Sequence, residues 1–274
     1  MSDAREQASP PQATFAAETR ASGRRSEPET SRSGSELRLV WIYPDLLSTY
    51  GDRGNVLMLE RRARQRGIGV ETTYVHSDQP VPTSGDIYTM GGGEDRPQML
   101  AGRRLRADGG LGRAVDAGAA VFAVCAGYQL LGSQFGGDEG QPCQGLELLD
   151  MTSSRLESRA VGEIAGDVDG ELGVPALTGF ENHQGGTRLG EGVRPLARTT
   201  VGIGNGDGFE GAWKDRLVGT YLHGPALVRN PALADLLLGW IVGELPPVEG
   251  GEDWPQRLRD ERFAALSQQV AAEQ

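Results

Sequence analysis

The chain has few of the residues that build metal sites and disulfide frameworks. Its 274 residues include only 2 cysteines, Cys125 and Cys143, and 3 histidines. These residues are not spaced as close ligand sets, which argues against a structural zinc site. In a reducing compartment we expect both thiols to stay free. The sequence therefore predicts neither a bound metal nor a disulfide.

Long apolar segments and an excess of positive charge are also missing. The longest apolar runs, 119–126 and 236–242, are much shorter than the roughly 20 residues that span a bilayer. The first 36 residues contain no apolar core of a signal peptide. A formal net charge of −11 disfavours nucleic acid as a partner, because most of the surface would repel a phosphate backbone. We expect a cytoplasmic protein without a transmembrane segment.

Composition divides the chain into three parts. The first 36 residues are rich in Ser, Arg, Glu, Pro and Ala, so they cannot bury enough apolar surface to offset the entropy of ordering. The sequence predicts a disordered tail over 1–36 and one folded domain over 37–245. It predicts a polar C-terminal helix or tail over 246–274.

Strands and helices alternate in the first half of the folded part. Apolar segments predict strands at 37–43, 70–75, 86–90 and 119–124. Periodic segments between them predict helices at 56–66, 98–106 and 112–117. The second half is rich in Gly and Thr and predicts short strands at 159–164, 187–189, 208–213 and 217–221, then a helix at 231–242. This order predicts an α/β fold: a mostly parallel sheet, helices on both faces and an antiparallel extension.

Cys125 stands where the most apolar strand turns directly into a helix. The sulfur is then at the carboxyl end of the sheet and at a helix N-terminus, whose partial positive charge favours a thiolate. Gly127 permits the sharp turn. Burial statistics alone would equally allow a small core residue, but the strand–Cys–x–Gly–helix context favours a nucleophile.

A cysteine nucleophile needs a group that accepts and donates protons, usually histidine. His223 follows a predicted strand and can reach the same sheet edge as Cys125. His183 lies in a polar segment that predicts a loop, and His76 at the end of the second strand is the weakest candidate. A lone histidine in a loop is more often a surface or packing residue, so it is the match to Cys125 that favours His223.

Three consecutive glycines at 91–93 follow a short strand. A phosphate cradle is one interpretation. However, the chain lacks a Gly-x-x-x-x-Gly-Lys-Ser/Thr motif and a complete Gly-x-Gly-x-x-Gly after the first strand. The N–H groups of Gly92 and Ala126 could instead form an oxyanion hole, and a flexible turn is the plain alternative.

Together these residues resemble the class I glutamine amidotransferases, and within them the cobyric-acid-synthase-like branch. The pattern Cys125-x-Gly127-x-Gln129 is that of their nucleophile elbow. Three stretches are similar, more narrowly, to the glutaminase subunits of lipid II isoglutaminyl synthase, the GatD type. They are Tyr43-Pro44-Asp45 with Tyr50-Gly51-Asp52-Arg53-Gly54-Asn55, Thr178-Gly179-Phe180-Glu181-Asn182-His183, and Tyr221-Leu222-His223-Gly224-Pro225 with Asn230-Pro231. The resemblance covers about 37 to 242 and implies a flavodoxin-like sheet.

The resemblance implies a reaction and roles for these residues. The Cys125 thiolate would attack the side-chain amide of L-glutamine, and His223 would protonate the departing ammonia. The N–H groups of Gly92 and Ala126 would hold the oxyanion, and water would hydrolyse the thioester.

The resemblance also implies how glutamine is bound. Gln129 would line its pocket, and Arg159 would bind its α-carboxylate, although a surface arginine at a strand edge fits the sequence equally well. Many class I enzymes carry a glutamate two residues after the histidine, where this chain has Pro225. His223 would therefore be held by a carboxylate from a partner subunit, or the enzyme would work as a Cys–His dyad.

A partner is also implied, since nothing in the sequence is a recognisable ATP site. It would be a Mur-ligase-like catalytic subunit of the MurT type, which would carry ATP and Mg and form a heterodimer with this chain. Together they would amidate the D-glutamate α-carboxyl of lipid II to D-isoglutamine at the inner face of the membrane, in peptidoglycan biosynthesis. The alternatives are the amidotransferase part of a cobyrinic-acid-type amide synthase and a non-catalytic module on the same fold.

Overall fold

The computed structural model of the chain describes residues 36–49, 51–136, 141–248 and 254–273. The predicted tail over 1–36 lies outside the described residues, apart from Glu36. The strands are β1 (Leu37–Ile42), β2 (Val70–Val75), β3 (Ile87–Met90), β4 (Ala120–Val124), β5 (Gln134–Gly136), β6 (Pro142–Gln144), β7 (Met151–Asp167), β8 (Leu177–Leu189), β9 (Ala197–Val201), β10 (Phe209–Glu210), β11 (Ala212–Lys214) and β12 (Leu217–Thr220). The helices are α1 (Arg53–Arg64), α2 (Asp95–Asp108), α3 (Gly110–Asp116), α4 (Ala126–Leu130), α5 (Ala226–Arg229), α6 (Pro231–Val242) and α7 (Trp254–Glu273).

The first sheet has the strand order β11-β12-β4-β3-β1-β2. All neighbouring pairs in it are parallel except β11 with β12. Every residue of β3, β4 and β12 is buried, as expected for parallel strands covered on both faces. This arrangement confirms the predicted α/β class with a mostly parallel sheet. It also brings the carboxyl ends of β4 and β12 side by side.

The helices pack in two groups. Helices α1, α5 and α6 contact one another, and α2 contacts both α3 and α4. The carboxylate of Asp235 on α6 ties the first group together by accepting from Arg62 Nε at 2.5 Å and from Arg66 Nη2 at 2.8 Å. Pro231 stands at the start of α6, where its missing N–H has no intrahelical acceptor to lose.

The second sheet departs most from the sequence prediction. It has the order β10-β9-β7-β5-β6, with β8 paired antiparallel to β7. Strands β7 and β8 are far longer than the predicted 159–164 and 187–189, and the predicted strand at 208–213 breaks at Gly211, where φ is +59°. The polar segment around His183, predicted as a loop, is part of β8. Its polar side chains hydrogen-bond to neighbouring residues, a pairing that sequence periodicity does not reveal.

The C-terminal helix α7 rests on the folded part through a few side chains. Arg259 is 9% exposed and donates from Nη2 to the carbonyl oxygen of Ala176 at 2.5 Å, and Leu266 is also buried. Most of the other described side chains of α7 are exposed, as expected from its polar sequence. Within the described part of the chain, no helix is both long and apolar enough to cross a bilayer.

Candidate functional site

Cys125 occupies the turn between β4 and α4. Its φ of 52° and ψ of −107° lie outside the ordinary allowed regions for a residue with a Cβ. Such strain persists only where the surrounding structure enforces it, and it occurs often at functional sites. The backbone is held by the Cys125 N–H, which donates to the Thr220 carbonyl at 2.8 Å, and by the Cys125 carbonyl, which accepts from Gln129 N–H at 3.0 Å.

Gly127 is required by close backbone packing at this turn. A Cβ added there would lie 2.8 Å from Cβ of Met90 and 3.0 Å from the carbonyl oxygen of Gly91. The Gly127 N–H donates to that same Gly91 carbonyl at 3.1 Å. The elbow is thus packed directly on the end of β3, which fixes Cys125 relative to the triple-glycine segment.

His223 lies beside Cys125 as the sequence placed it, just past the end of β12. Its backbone is bonded to β8 of the second sheet: His223 N–H donates to the Phe180 carbonyl at 2.8 Å, and Phe180 N–H donates back at 3.0 Å. The residue as a whole is 1% exposed. The histidine is therefore held where the two sheets meet.

A buried carboxylate faces this histidine. Asp52 Oδ1 lies 3.5 Å from His223 Nδ1, and both side chains are 2% exposed. Burial opposes the charged imidazolium, but Asp52 and Cys125 outweigh it and raise the pKa of His223 to about 10. Both neighbours therefore favour the protonated form of His223, the form that can give a proton to a leaving group.

Gly92, predicted as an oxyanion donor, is already engaged. Its N–H donates to Asp52 Oδ2 at 2.5 Å. A Cβ built on Gly92 would lie 3.0 Å from His223 Cε1 and 3.5 Å from Cys125 Cβ, so this backbone borders both predicted catalytic side chains. Ala126, the other predicted donor, borders the cavity described next. The oxyanion role of both amides stays a prediction.

A cavity of about 460 Å³ opens in front of the elbow. Cys125, Gln129 and Arg159, three residues predicted for the site, line it, and so do His183 and Arg155. One side of the cavity is formed by the segment after β3, the start of α2 and the turn into α4, and the other by residues of β7 and β8. The structure thus brings together the predicted nucleophile and both predicted substrate-binding residues.

Gln129 is fixed by hydrogen bonds at both ends of its amide. Its Oε1 accepts from Gln98 Nε2 at 2.7 Å, and its Nε2 donates to the Tyr221 hydroxyl at 3.2 Å. Tyr221 is buried and also shares a hydrogen bond with Thr187 at 2.8 Å. These bonds hold Gln129 as a rigid part of the cavity wall.

Behind Tyr221 lies a buried carboxyl group. Glu210 Oε1 accepts from the Tyr221 N–H at 2.8 Å and from the Thr220 hydroxyl. Burial raises the pKa of Glu210 to about 7. This group supports the backbone that leads to His223 and has no contact with the cavity.

His183 has a fully engaged ring. Its Nδ1 lies 2.7 Å from the Gly185 carbonyl and its Nε2 lies 3.3 Å from Glu181 Oε2. The ring stacks on Tyr221 with a centroid distance of 3.8 Å. Glu181 also accepts the N–H groups of Ile203 and Gly204. His183 is therefore a buried element of the cavity wall and lies in β8, not in the predicted loop.

Two arginines of β7 reach the cavity. Arg159 Nε donates to Asn182 Oδ1 at 2.7 Å, and Arg155 Nη2 donates to Gln184 Oε1 at 2.8 Å. A guanidinium is suited to bidentate pairing with a carboxylate. Arg159 was predicted for this role, whereas Arg155 was missed because only the length of β7 brings both residues to the cavity.

Asp52 is the main residue that sequence reasoning missed. It belongs to the Tyr-Gly-Asp-x-Gly-Asn stretch that carries the resemblance, but the resemblance implied no role for it. The signal that could have found it is an acidic residue in a glycine-rich loop directly after β1, whose carboxyl end lies at the same sheet edge as β4. No group of three or more His, Cys, Asp or Glu that could hold a metal occurs among the described residues.

Comparison with known proteins identifies the family. Residues 38–231 match the model of the CobB/CobQ-like glutamine amidotransferase domain. The chain is 35% identical over 207 residues to the lipid II isoglutaminyl synthase (glutamine-hydrolyzing) subunit GatD of Staphylococcus aureus, covering 74% of this chain and 83% of that protein. It is 33% identical over 205 residues to the same subunit of Streptococcus pneumoniae, covering 73% and 78%.

A more distant relative is the cobyric acid synthase of Pelotomaculum thermopropionicum, at 31% identity over 229 residues. That alignment covers 78% of this chain but only 42% of the relative. The alignment therefore covers much more of the GatD subunits than of the longer cobyric acid synthase. The chain belongs to the CobB/CobQ-like glutamine amidotransferase family, in the branch of the GatD subunits of lipid II isoglutaminyl synthase.

Proposed function

We propose that this protein is a glutaminase subunit that releases ammonia from L-glutamine for the amidation of lipid II. The observation that carries the proposal is the strained Cys125 at the mouth of the cavity, with His223 beside it. A thiol beside a buried histidine that can hold and release a proton is the arrangement that an acyl-transfer nucleophile needs. The GatD relatives carry the words "glutamine-hydrolyzing" in their names.

The reaction proceeds in two displacements. The Cys125 sulfur forms a bond to the side-chain carbonyl carbon of glutamine, the C–N bond breaks, and His223 gives its proton to the leaving ammonia. Water then adds to the γ-glutamyl thioester and loses a proton to His223. The C–S bond breaks, glutamate leaves, and the thiolate–imidazolium pair is restored.

Substrate binding uses the cavity wall. The α-carboxylate of glutamine pairs with Arg159, with Arg155 as a second cation in the same wall. Gln129 has its amide fixed by Gln98 and Tyr221, so it presents a rigid polar surface to the substrate. The Ala126 N–H stabilises the oxyanion. The Gly92 N–H also donates to the oxyanion once its hydrogen bond to Asp52 Oδ2 is broken.

Ammonia is used by a partner. We infer a heterodimer with a Mur-ligase-like subunit of the MurT type, which binds ATP and Mg and activates the D-glutamate α-carboxyl of lipid II. Both GatD relatives are named as subunits, which supports a separate synthetase chain. The pair would work on the cytoplasmic side of the membrane, where ATP is available.

The test is a reconstituted reaction. The chain is co-purified with the Mur-ligase-like partner, and glutamine-dependent amidation of lipid II is measured with ATP and Mg by mass spectrometry. We expect the Cys125→Ala variant to lose glutamine-dependent amidation but to keep amidation with free ammonia. Amidation of a corrinoid precursor instead would indicate the cobyrinic-type alternative, and an intact fold without glutaminase activity would indicate a non-catalytic module.

A further inference from the structure

The buried carboxylate of Asp52 makes two contacts at the candidate site. One oxygen lies 3.5 Å from His223 Nδ1, and the other accepts the Gly92 N–H at 2.5 Å. The class I pattern has a glutamate two residues after the histidine, but here Pro225 stands there and bears no carboxylate. Asp52 comes from a different part of the chain, directly before α1, yet it reaches the same ring.

We propose that Asp52 is the positioning residue for His223, so that this chain supplies its own third member of the site and needs none from a partner. The proposal rests on the glutaminase function proposed above and deepens it. In this role Asp52 fixes the imidazole orientation, with Nδ1 towards the carboxylate and Nε2 left for the sulfur and the leaving ammonia. It also stabilises the imidazolium that protonates ammonia.

Pro225 itself helps to place the carboxylate. A Cβ added to Gly54 would lie 2.1 Å from Cγ of Pro225, so the proline ring packs directly on the first turn of α1, next to the loop that ends at Asp52. The residue that replaces the expected glutamate is thus in contact with the segment that compensates for it. A Gly54 side chain would push that loop away from His223.

Two further contacts hold the Asp52 loop. Asn55 Oδ1 accepts the Leu227 N–H at 2.9 Å, which ties the first turn of α1, directly after the loop, to α5. The Thr49 N–H donates to the Gly92 carbonyl at 3.1 Å, which ties it to the glycine segment. The loop is therefore fixed on both sides of the aspartate, as a positioning group requires.

The 3.5 Å separation is an ion-pair distance and is longer than a hydrogen bond of ordinary geometry. Catalytic hydrogen bonds are often long in the free enzyme and shorten when substrate binds. The electrostatic effect is present already, since Asp52 is the largest influence that raises the pKa of His223 against the opposing effect of burial. Asp52 and Cys125 are the titratable groups that act on this ring.

The test uses the Asp52→Asn variant of the full chain. Asparagine keeps an oxygen for the Gly92 N–H but removes the negative charge that faces His223. With the ligase partner present, we expect kcat for glutamine hydrolysis to fall by roughly 10²- to 10⁴-fold with KM unchanged. The alkaline limb of the kcat profile should move to lower pH, because His223 loses its proton more easily. Asp52→Glu should recover part of the rate.

Asp235→Asn is the matched control, since its carboxylate pairs with Arg62 and Arg66 and not with a histidine. We expect it to lower the midpoint of thermal unfolding without changing the pH profile. Alkylation of Cys125 by iodoacetamide, measured on the isolated chain, should be slower in Asp52→Asn than in Asp235→Asn. The alkylation measurement needs no partner protein, so it still tests the role of Asp52 if the variant complex does not assemble.

The outcomes separate this inference from the proposed function. A wild-type complex without glutaminase activity would overturn the function itself. An active wild type with an equally active Asp52→Asn variant, and equal alkylation rates, would overturn only the role of Asp52. Equal losses in Asp52→Asn and Asp52→Glu with an unmoved pH profile would indicate a structural role and would also contradict the proposal.

Discussion

Two buried histidines, each facing a carboxylate, lie near the candidate site: His183 lines the cavity, and His223 lies beside Cys125, which lines it. His223, at the edge of the parallel sheet, faces Asp52 at 3.5 Å, and His183, in the antiparallel sheet, faces Glu181 at 3.3 Å. Both rings are almost inaccessible to solvent. Proximity to a carboxylate and burial therefore do not distinguish a catalytic histidine from a structural one.

The two histidines differ in what the other atoms of each imidazole ring contact. Both nitrogens of His183 face acceptor oxygens, those of Glu181 and Gly185, and its face is covered by Tyr221. His223 has the Asp52 carboxylate as one neighbour and the thiol of Cys125 as another. A histidine whose two ring nitrogens both face protein oxygens cannot exchange a proton with substrate, whereas a histidine that faces a thiol can. The following predictions test this contrast, from the largest effect to the smallest.

Removal of the sulfur should have the largest effect. Cys125→Ser replaces the thiol by a hydroxyl that is a much weaker nucleophile at neutral pH, so glutamine hydrolysis should fall by on the order of 10⁴-fold or more. The measurement is ammonia release in the complex with its ligase partner. Cys143→Ser is the control, since this partly buried thiol on β6 should be dispensable. Similar losses in both variants would contradict the assignment of the nucleophile.

His223→Gln should come next. Loss of the proton donor and of the cation beside the thiol should lower kcat by roughly 10²- to 10⁴-fold, the range for general acid–base groups. Steady-state kinetics of glutamine hydrolysis measures it. A larger loss of kcat in His183→Gln than in His223→Gln would reverse the contrast between the two histidines.

Arg159→Gln should weaken binding and leave chemistry largely intact. Loss of one charge-assisted carboxylate contact of about 1.5–3 kcal/mol corresponds to a rise in KM of roughly 10- to 100-fold. Steady-state kinetics at several glutamine concentrations separates KM from kcat. Arg38→Gln, which removes the exposed ion pair with Asp86, should change neither. An unchanged KM in Arg159→Gln would assign the carboxylate contact to another residue, with Arg155 the next to test.

His183→Gln should affect stability more than kcat. It leaves the buried Glu181 carboxylate without its imidazole partner and removes the stack on Tyr221, so unfolding should become easier by about 3 kcal/mol. Urea unfolding measures this loss, and ammonia release measures kcat. A stable variant with strongly reduced kcat would place His183 in the reaction.

The pH dependence of stability should report on His223. Burial opposes its charge, but Asp52 and Cys125 together raise its pKa from 6.5 to about 10, so the folded chain binds this proton more tightly than the unfolded chain. The resulting stabilisation is present in full below about pH 6.5 and is lost as the pH rises through about 10. Urea unfolding of wild type and His223→Gln at several pH values should show a difference that shrinks over this window. A constant difference would contradict the raised pKa.

The sequence identified the parts of the site whose chemistry depends on local context. Cys125 at a strand–helix turn and His223 after another strand could be predicted, because parallel strands bring their carboxyl ends to one edge of the sheet. The α/β class followed from the alternation of apolar strands with periodic helices. These features depend on short stretches of chain and on one general rule of topology.

The remaining parts depend on contacts between distant segments. Asp52 lies 171 positions before His223, and nothing local marks it as that ring's partner. The segment around His183 reads as a polar loop, but β7 satisfies its backbone and Glu181 and Gly185 satisfy its ring. Burial of polar groups by mutual pairing does not show in hydrophobic periodicity, so both features required the structure.

The most direct test of the account is covalent labelling by a glutamine analogue that carries an electrophilic carbon in place of the side-chain amide. Peptide mass spectrometry then compares Cys125 with Cys143 in the same protein. We predict a single adduct at Cys125 that excess glutamine prevents, and that forms far more slowly in His223→Gln than in His183→Gln. Equal labelling of the two cysteines, or an unlabelled Cys125 in the folded complex, would contradict the claim that Cys125 is the nucleophile for glutamine.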